Sequence, residues 1–286
     1  MSLLALGLVL TSACLHASWN LLAKRAKGGA EFTWLFAALT AVIYAPIAIA
    51  YALYTSQGIS WSQFGFIVGS AAIHIGYFLS LQRGYRAGDL SLVYPLARGT
   101  GPLLATVAAI LLLGERPTTL ALCGTVLVVV SVFLLAGGFD AFKDGANRVA
   151  LGYGLLTGIF IATYTVWDGY AVGVLGTAPL LFMCLSETVR SLLLAPVALR
   201  NWSKVRLEWR EHRLEALGIA ILSPLAYILV LTALTFTPIS YVAPTREISI
   251  LIGALIGAKL LGEGDVKRRL FAASGMVLGV AMLAFG

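Results

Sequence analysis

Charge is what this sequence has least of. Only 12% of its 286 residues are Asp, Glu, Lys or Arg, against about 25% in an ordinary soluble domain. That scarcity excludes a compact fold wrapped in a solvated charged surface. Cysteine is also sparse: Cys14, Cys123 and Cys184 all sit in apolar runs, with no CxxC or Cys/His spacing, so neither a disulfide framework nor a metal site is expected. The sequence carries no HExxH, GxSxG or DxD motif, which argues against an enzyme, and no cofactor is expected. Long polar segments are missing too. The longest, Arg200–Arg213, is too short for the soluble loops of a receptor or assembly scaffold. Thr11-Ser12-Ala13-Cys14 resembles a lipoprotein cleavage site, but no Lys or Arg precedes it and the apolar run continues through Trp19, so a cleaved signal is not expected.

What the chain does have is apolar length. Hydrophobic residues make up 59% of it, in runs such as Ala105–Leu113, Leu120–Leu135 and Ile248–Ile256 that recur from end to end. A helix needs roughly 20 apolar residues to cross about 30 Å of hydrocarbon. Cutting at charged and Gly/Pro-rich breaks predicts an all-α polytopic membrane protein. Its ten spans lie near 3–22, 32–54, 63–82, 90–113, 119–137, 150–172, 178–199, 214–236, 240–260 and 269–285. The runs lack the alternation of a lipid-facing barrel.

The net charge of +7 does not point to nucleic acid, because the basic residues lie between spans rather than along one face. Loops after the odd-numbered spans hold 16 of them: Lys24, Arg25, Lys27; Arg83, Arg86; Lys143, Arg148; Arg200, Lys204, Arg206, Arg210, Arg213; and Lys259, Lys267, Arg268, Arg269. The alternate loops hold Arg116 alone. Basic loops stay cytoplasmic, so both termini are expected on the non-cytoplasmic side of an inner (plasma) membrane. Arg200–Arg213, with Trp202 and Trp209 seven apart, reads as an interfacial helix. Tyr51, Tyr54, Tyr153, Trp61 and Trp202 read as interfacial anchors.

The chain also repeats itself. Leu112-Leu113-Gly114-Glu115 recurs as Leu260-Leu261-Gly262-Glu263; Ser91, Val93 and Pro95 match Ser240, Val242 and Pro244; Gly124, Val126 and Leu127 match Gly275, Val277 and Leu278. These ordered matches keep a nearly constant offset and define units 1–143 and 144–286. Five spans per unit is an odd number, so the second unit enters the membrane inverted. Inverted repeats place a substrate site near the midplane between halves that rock, as transporters require and a channel does not. Glycine pairs Gly65/Gly69, Gly154/Gly158, Gly253/Gly257 and Gly275/Gly279 suit close helix packing.

Several stretches carry a resemblance: the early HASWNLLAKRA, the segment SLVYPLARGTGPLLATVAAILLLGERP, and its echo SYVAPTREISILIGALIGAKLLGE. With the five-plus-five plan they resemble the EamA-type exporters of the drug/metabolite transporter superfamily, and among those the YddG-type aromatic amino-acid exporters. The echo departs from the pattern where Gly264-Asp265 replaces Arg116-Pro117. The resemblance implies export of aromatic and other neutral amino acids.

Charges inside a membrane cost roughly 2.5–3.5 kcal/mol each on insertion scales, so each requires a partner or a function. The spans hold Arg98, Arg190 and Arg246 against Asp168, Glu187 and Glu247. Glu187 and Arg190, three apart, are expected to pair on one helix face. Arg246 and Glu247 are adjacent, about 100° apart around a helix, so each must look to another helix. Asp168 lies toward a span end, where water is expected to reach it. Pro95 lacks an N–H and is expected to bend or open its helix one turn before Arg98, beside a cavity where such breaks are tolerated. Pro244 is its counterpart.

Helix three offers His74, Tyr77, Phe78 and Leu81 on one face; helix six offers Tyr153, Thr157, Phe160, Tyr164 and Trp167. His16 and His74 can each be satisfied within the bundle. The expected substrate-facing set is His74, Tyr77, Phe78, Tyr94, Arg98, Tyr164, Trp167, Tyr241 and Arg246, with Pro95, Pro244, Glu187, Arg190 and Glu247 structural or gating. Guanidinium grips carboxylate, and aromatic walls stack on a ring or attract an ammonium. The expected partners are therefore a small metabolite and the lipid bilayer, with no nucleic acid, and nothing requires more than a monomer. The first span has no acid, which disfavours cation efflux. Two converging arginines, Arg98 and Arg246, leave phosphorylated metabolites as the alternative substrate.

Overall fold

The computed structural model describes residues 1–26, 28–87, 90–135, 148–252 and 266–286. These form helices α1 (Leu3–Ala26), α2 (Ala30–Thr55), α3 (Trp61–Ala87), α4 (Leu90–Leu113), α5 (Thr119–Leu135), α6 (Arg148–Gly173), α7 (Pro179–Arg200), α8 (Trp202–Leu234), α9 (Ile239–Thr245), α10 (helical at 248–252) and α11 (Val266–Phe285). No strand occurs among the described residues. Seven helices there are long and apolar enough to cross a membrane, and Thr119–Leu135 and Leu270–Phe285 are shorter apolar helices.

The helices pack in a crossed pattern: α1 against α8, α2 against α7 and α8, α3 against α6, α4 against α6 and α9, and α5 against α11. Small residues set the closest approaches. A Cβ on Gly124 would meet the carbonyl of Gly279 at 2.7 Å, so α5 and α11 touch backbone to backbone. Gly158 leaves its space on α6 to Thr100 of α4.

Prolines inside helices strand carbonyls, and neighbouring hydroxyls take them up. Pro224 in α8 cannot donate to Ala220. Thr40 Oγ1 of α2 donates to the Ala220 carbonyl instead, at 3.2 Å, and Tyr44 OH donates to Ile221 O at 2.7 Å. Ser12 Oγ of α1 donates to Ala226 O at 2.7 Å. Each such bond contributes about 1 kcal/mol, and together they fix α1 and α2 on α8.

Two expectations about breaks change places. α4 runs without interruption through Pro95, while the expected ninth span divides: α9 ends at Thr245, Arg246 and Glu247 form a turn, and helix resumes at 248. A proline within the first turn needs no intrahelical donor, and Pro95 lies close to the start of α4. Pro244 sits near the end of α9, where the turn bonds Arg246 N to Val242 O and Glu247 N to Pro244 O. The segment 202–213 continues into α8, with non-helical backbone at His212 (φ −128°, ψ 29°) marking the division.

Candidate functional site

A cavity with about 840 Å³ of empty space, its open side included, lies among α1, α3, α4, α6, α7, α8 and the turn after α9. That is within the roughly 300–1,000 Å³ of small-molecule sites. Its aromatic wall is built across three helices. His74 of α3 stacks on Tyr164 of α6 with centroids 4.3 Å apart, Tyr77 meets Tyr164 edge-on at 5.8 Å, and Tyr227 of α8 meets His74 edge-on at 5.8 Å. The Ser70 carbonyl lies 2.9 Å from His74 Nδ1. A carbonyl only accepts, so His74 donates from Nδ1 and the neutral ring keeps Nε2 as an acceptor.

Charge enters from three sides. Arg98 of α4 is 7% exposed and Glu247 4% exposed, with Nη1 3.6 Å from Oε1. Arg190 pairs with Glu187 on α7 and lies over the Phe36 ring at 5.8 Å. Arg246 enters from the turn after α9, its guanidinium carbon 5.7 Å from the Tyr227 centroid. Among the described residues it has no carboxylate within salt-bridge range. The turn explains the division: on a continuous helix Arg246 and Glu247 would stay fixed about 100° apart, whereas here Glu247 reaches Arg98 and Arg246 lines the cavity.

Asp168 does not meet water. It is fully buried and accepts from Tyr227 OH, because α6 carries it inward against α8. The bond anchors the ring on which Arg246 rests.

Of the expected residues, His74, Tyr77, Arg98, Tyr164, Arg246, Glu187 and Arg190 line the cavity together. Phe78, Trp167, Tyr241, Pro244 and Glu247 do not line it. Trp167 donates from Nε1 to Phe66 O at 2.8 Å and stacks on Phe66, beside an apolar groove between α3, α4 and α6. Tyr241 OH accepts from the Thr118 backbone N–H at 3.2 Å. The side chains of Tyr94 and Pro95 lie outside the described residues, as do Gly253, Gly257 and the Leu260–Glu263 repeat. The cavity also draws on His16 and Trp19 of α1, Ser70, Ser186 and Tyr227, which the sequence pattern does not assign to it. Only His16 and Trp19, three apart, give a local sign.

The first copy of the Leu-Leu-Gly-Glu repeat has a structural task. Glu115 accepts from the backbone N–H groups of Ile239 at 2.7 Å and Ser240 at 2.9 Å, clamping the start of α9 to the end of α4. A carboxylate there completes the open N–H groups of a helix start. Among the described residues no group of three or more His, Cys, Asp or Glu is arranged to hold a metal ion.

No match was found among curated proteins. A solved structure described only as "Crystal structure of protein" shares the fold, with a TM-score of 0.74 over 97% of each chain at 15% identity. Residues 3–137, most of the first half of the chain, match the EamA-like transporter family, whose members are membrane transporters of small molecules.

Proposed function

We propose that the protein exports small metabolites, chiefly aromatic and other neutral amino acids, by alternating access around this cavity. The two halves, 1–143 and 144–286, would act as inverted five-helix repeats in a plasma membrane, with both termini outside. Exchanging the halves turns the α1–α8 contact into α6–α3, and α3–α7 into α8–α2; both members of each pair occur, which supports the inverted reading. The likeness to YddG-type exporters belongs to this proposal.

The observation that carries the substrate class is Arg246. A guanidinium facing a cavity without a carboxylate of its own suits a ligand carboxylate, and the wall of Tyr164, His74, Tyr77 and Tyr227 suits a ring or apolar side chain. Phosphorylated metabolites call for more free positive charge. Arg98 is matched by Glu247 and Arg190 by Glu187, which favours a singly charged carboxylate.

Purified protein in liposomes, given labelled phenylalanine, tryptophan and threonine with and without an imposed pH gradient, tests this. Saturable uptake competed by other amino acids is expected. Vesicles no better than empty ones, with orientation verified, would refute the amino-acid reading.

A further inference from the structure

His16 and Asn20 share one face of α1, four residues apart. Asn20 Nδ2 lies 2.8 Å from the His16 carbonyl oxygen and 2.8 Å from His16 Nδ1. The carbonyl only accepts, so the Asn20 atom beside it is the amide nitrogen. Its second hydrogen then points at Nδ1, which must offer a lone pair. That assignment leaves the ring neutral with its proton on Nε2. Across the cavity edge, Nε2 lies 3.4 Å from Arg98 Nη2, and a guanidinium nitrogen only donates. Two donors therefore face one another. Trp19, whose ring meets His16 edge-on at 4.9 Å, limits the imidazole's freedom to turn away.

We propose that His16 is a specificity-determining residue whose Nε2–H, set by Asn20 and aimed beside Arg98, forms a two-donor niche for an oxyanion of the transported ligand. The class of ligand is a carboxylate, so the inference rests on the amino-acid reading and deepens it. An oxygen lodged in the niche takes one hydrogen from each donor and relieves their opposition. Asn20 is a positioning residue acting through His16. Without it the ring relaxes to the Nδ1–H form, whose Nε2 lone pair accepts directly from Arg98, and the niche closes.

The test compares half-saturation and maximal rate for phenylalanine uptake in proteoliposomes. His16→Phe removes the donor and is expected to raise half-saturation about tenfold or more, as loss of a hydrogen bond to a charged group does. His16→Gln restores an N–H near the Nε2 position and is expected to recover most of that loss. Asn20→Leu is expected to cost about tenfold in the wild-type background and nearly nothing in the His16→Gln background, where no tautomer is at stake. An equal cost in both backgrounds, or wild-type half-saturation in Asn20→Leu, overturns the proposal. Nitrogen-15 spectra of the three histidines in the full protein, with His16 assigned by its loss in His16→Gln, read the ring without transport. A proton on Nε2, and an Nε2 signal that moves when 3-phenylpropionate is added, is the expected result; a proton on Nδ1 overturns it. Absent phenylalanine uptake by the wild type would refute the substrate reading alone, and the spectra would still decide the niche.

Discussion

The two copies of the proline motif behave differently. In α4 the copy Ser91-Leu-Val-Tyr-Pro95 opens a continuous helix that buries Arg98; in α9 the copy Ser240-Tyr-Val-Ala-Pro244 closes a seven-residue helix and yields a turn. The residues after each proline differ as well. The first copy continues into a run able to stay helical, whereas the second places Arg246 and Glu247 side by side, two charges that one helix face cannot serve. Breaking the helix lets Glu247 neutralise Arg98 while Arg246 turns to the cavity. A duplicated sequence thus provides one structural arginine and one available arginine.

The largest effect should come from the structural arginine. Arg98→Ala leaves Glu247 buried and unpaired, and should destabilise the protein by about 3–5 kcal/mol, read as a lowered Tm in detergent. Arg98→Ala with Glu247→Ala should recover most of that loss; no recovery would mean that the pair does not act as one. Arg246→Ala should leave Tm near wild type but raise half-saturation for phenylalanine uptake about 10–100-fold, through loss of a charge-assisted bond. If Arg246→Ala instead matched Arg98→Ala in stability loss, the division of roles between the two copies would fall.

Smaller effects sharpen the same contrast. Glu115→Ala removes both acceptors from the start of α9 and should cost about 0.5–2 kcal/mol, with uptake slowed more than half-saturation is changed. Leu111→Ala, 75% exposed on α4, should change Tm and uptake little, within about 0.5 kcal/mol.

The helices are legible in the sequence because a spanning helix is a local property: length, apolarity and the charges at its ends. The pairing of Glu187 with Arg190 is legible for the same reason, being three residues apart on one helix. The division of labour between Pro95 and Pro244 is not. A proline's effect depends on its distance from the helix start, and span boundaries carry errors of the same size. Asp168 departs from expectation because nearness to a span end says nothing about which neighbour covers it; Tyr227 of α8 does. Half of the expected cavity wall lies where the spacing places it, at His74, Tyr77 and Tyr164. Trp167 lies three residues beyond Tyr164 yet meets Phe66 instead, since a helix stripe about 100° wide can face two neighbours. The contributions of α1, and of Tyr227, arise only when distant helices meet.

Arg246 as the carboxylate anchor is best tested by competition in wild-type and Arg246→Ala proteoliposomes taking up labelled phenylalanine. If the carboxylate is what Arg246 holds, 3-phenylpropionate should compete in the wild type, phenethylamine should compete far less, and Arg246→Ala should erase the difference. Equal competition by both compounds in the wild type, or an unchanged preference in Arg246→Ala, would contradict that role.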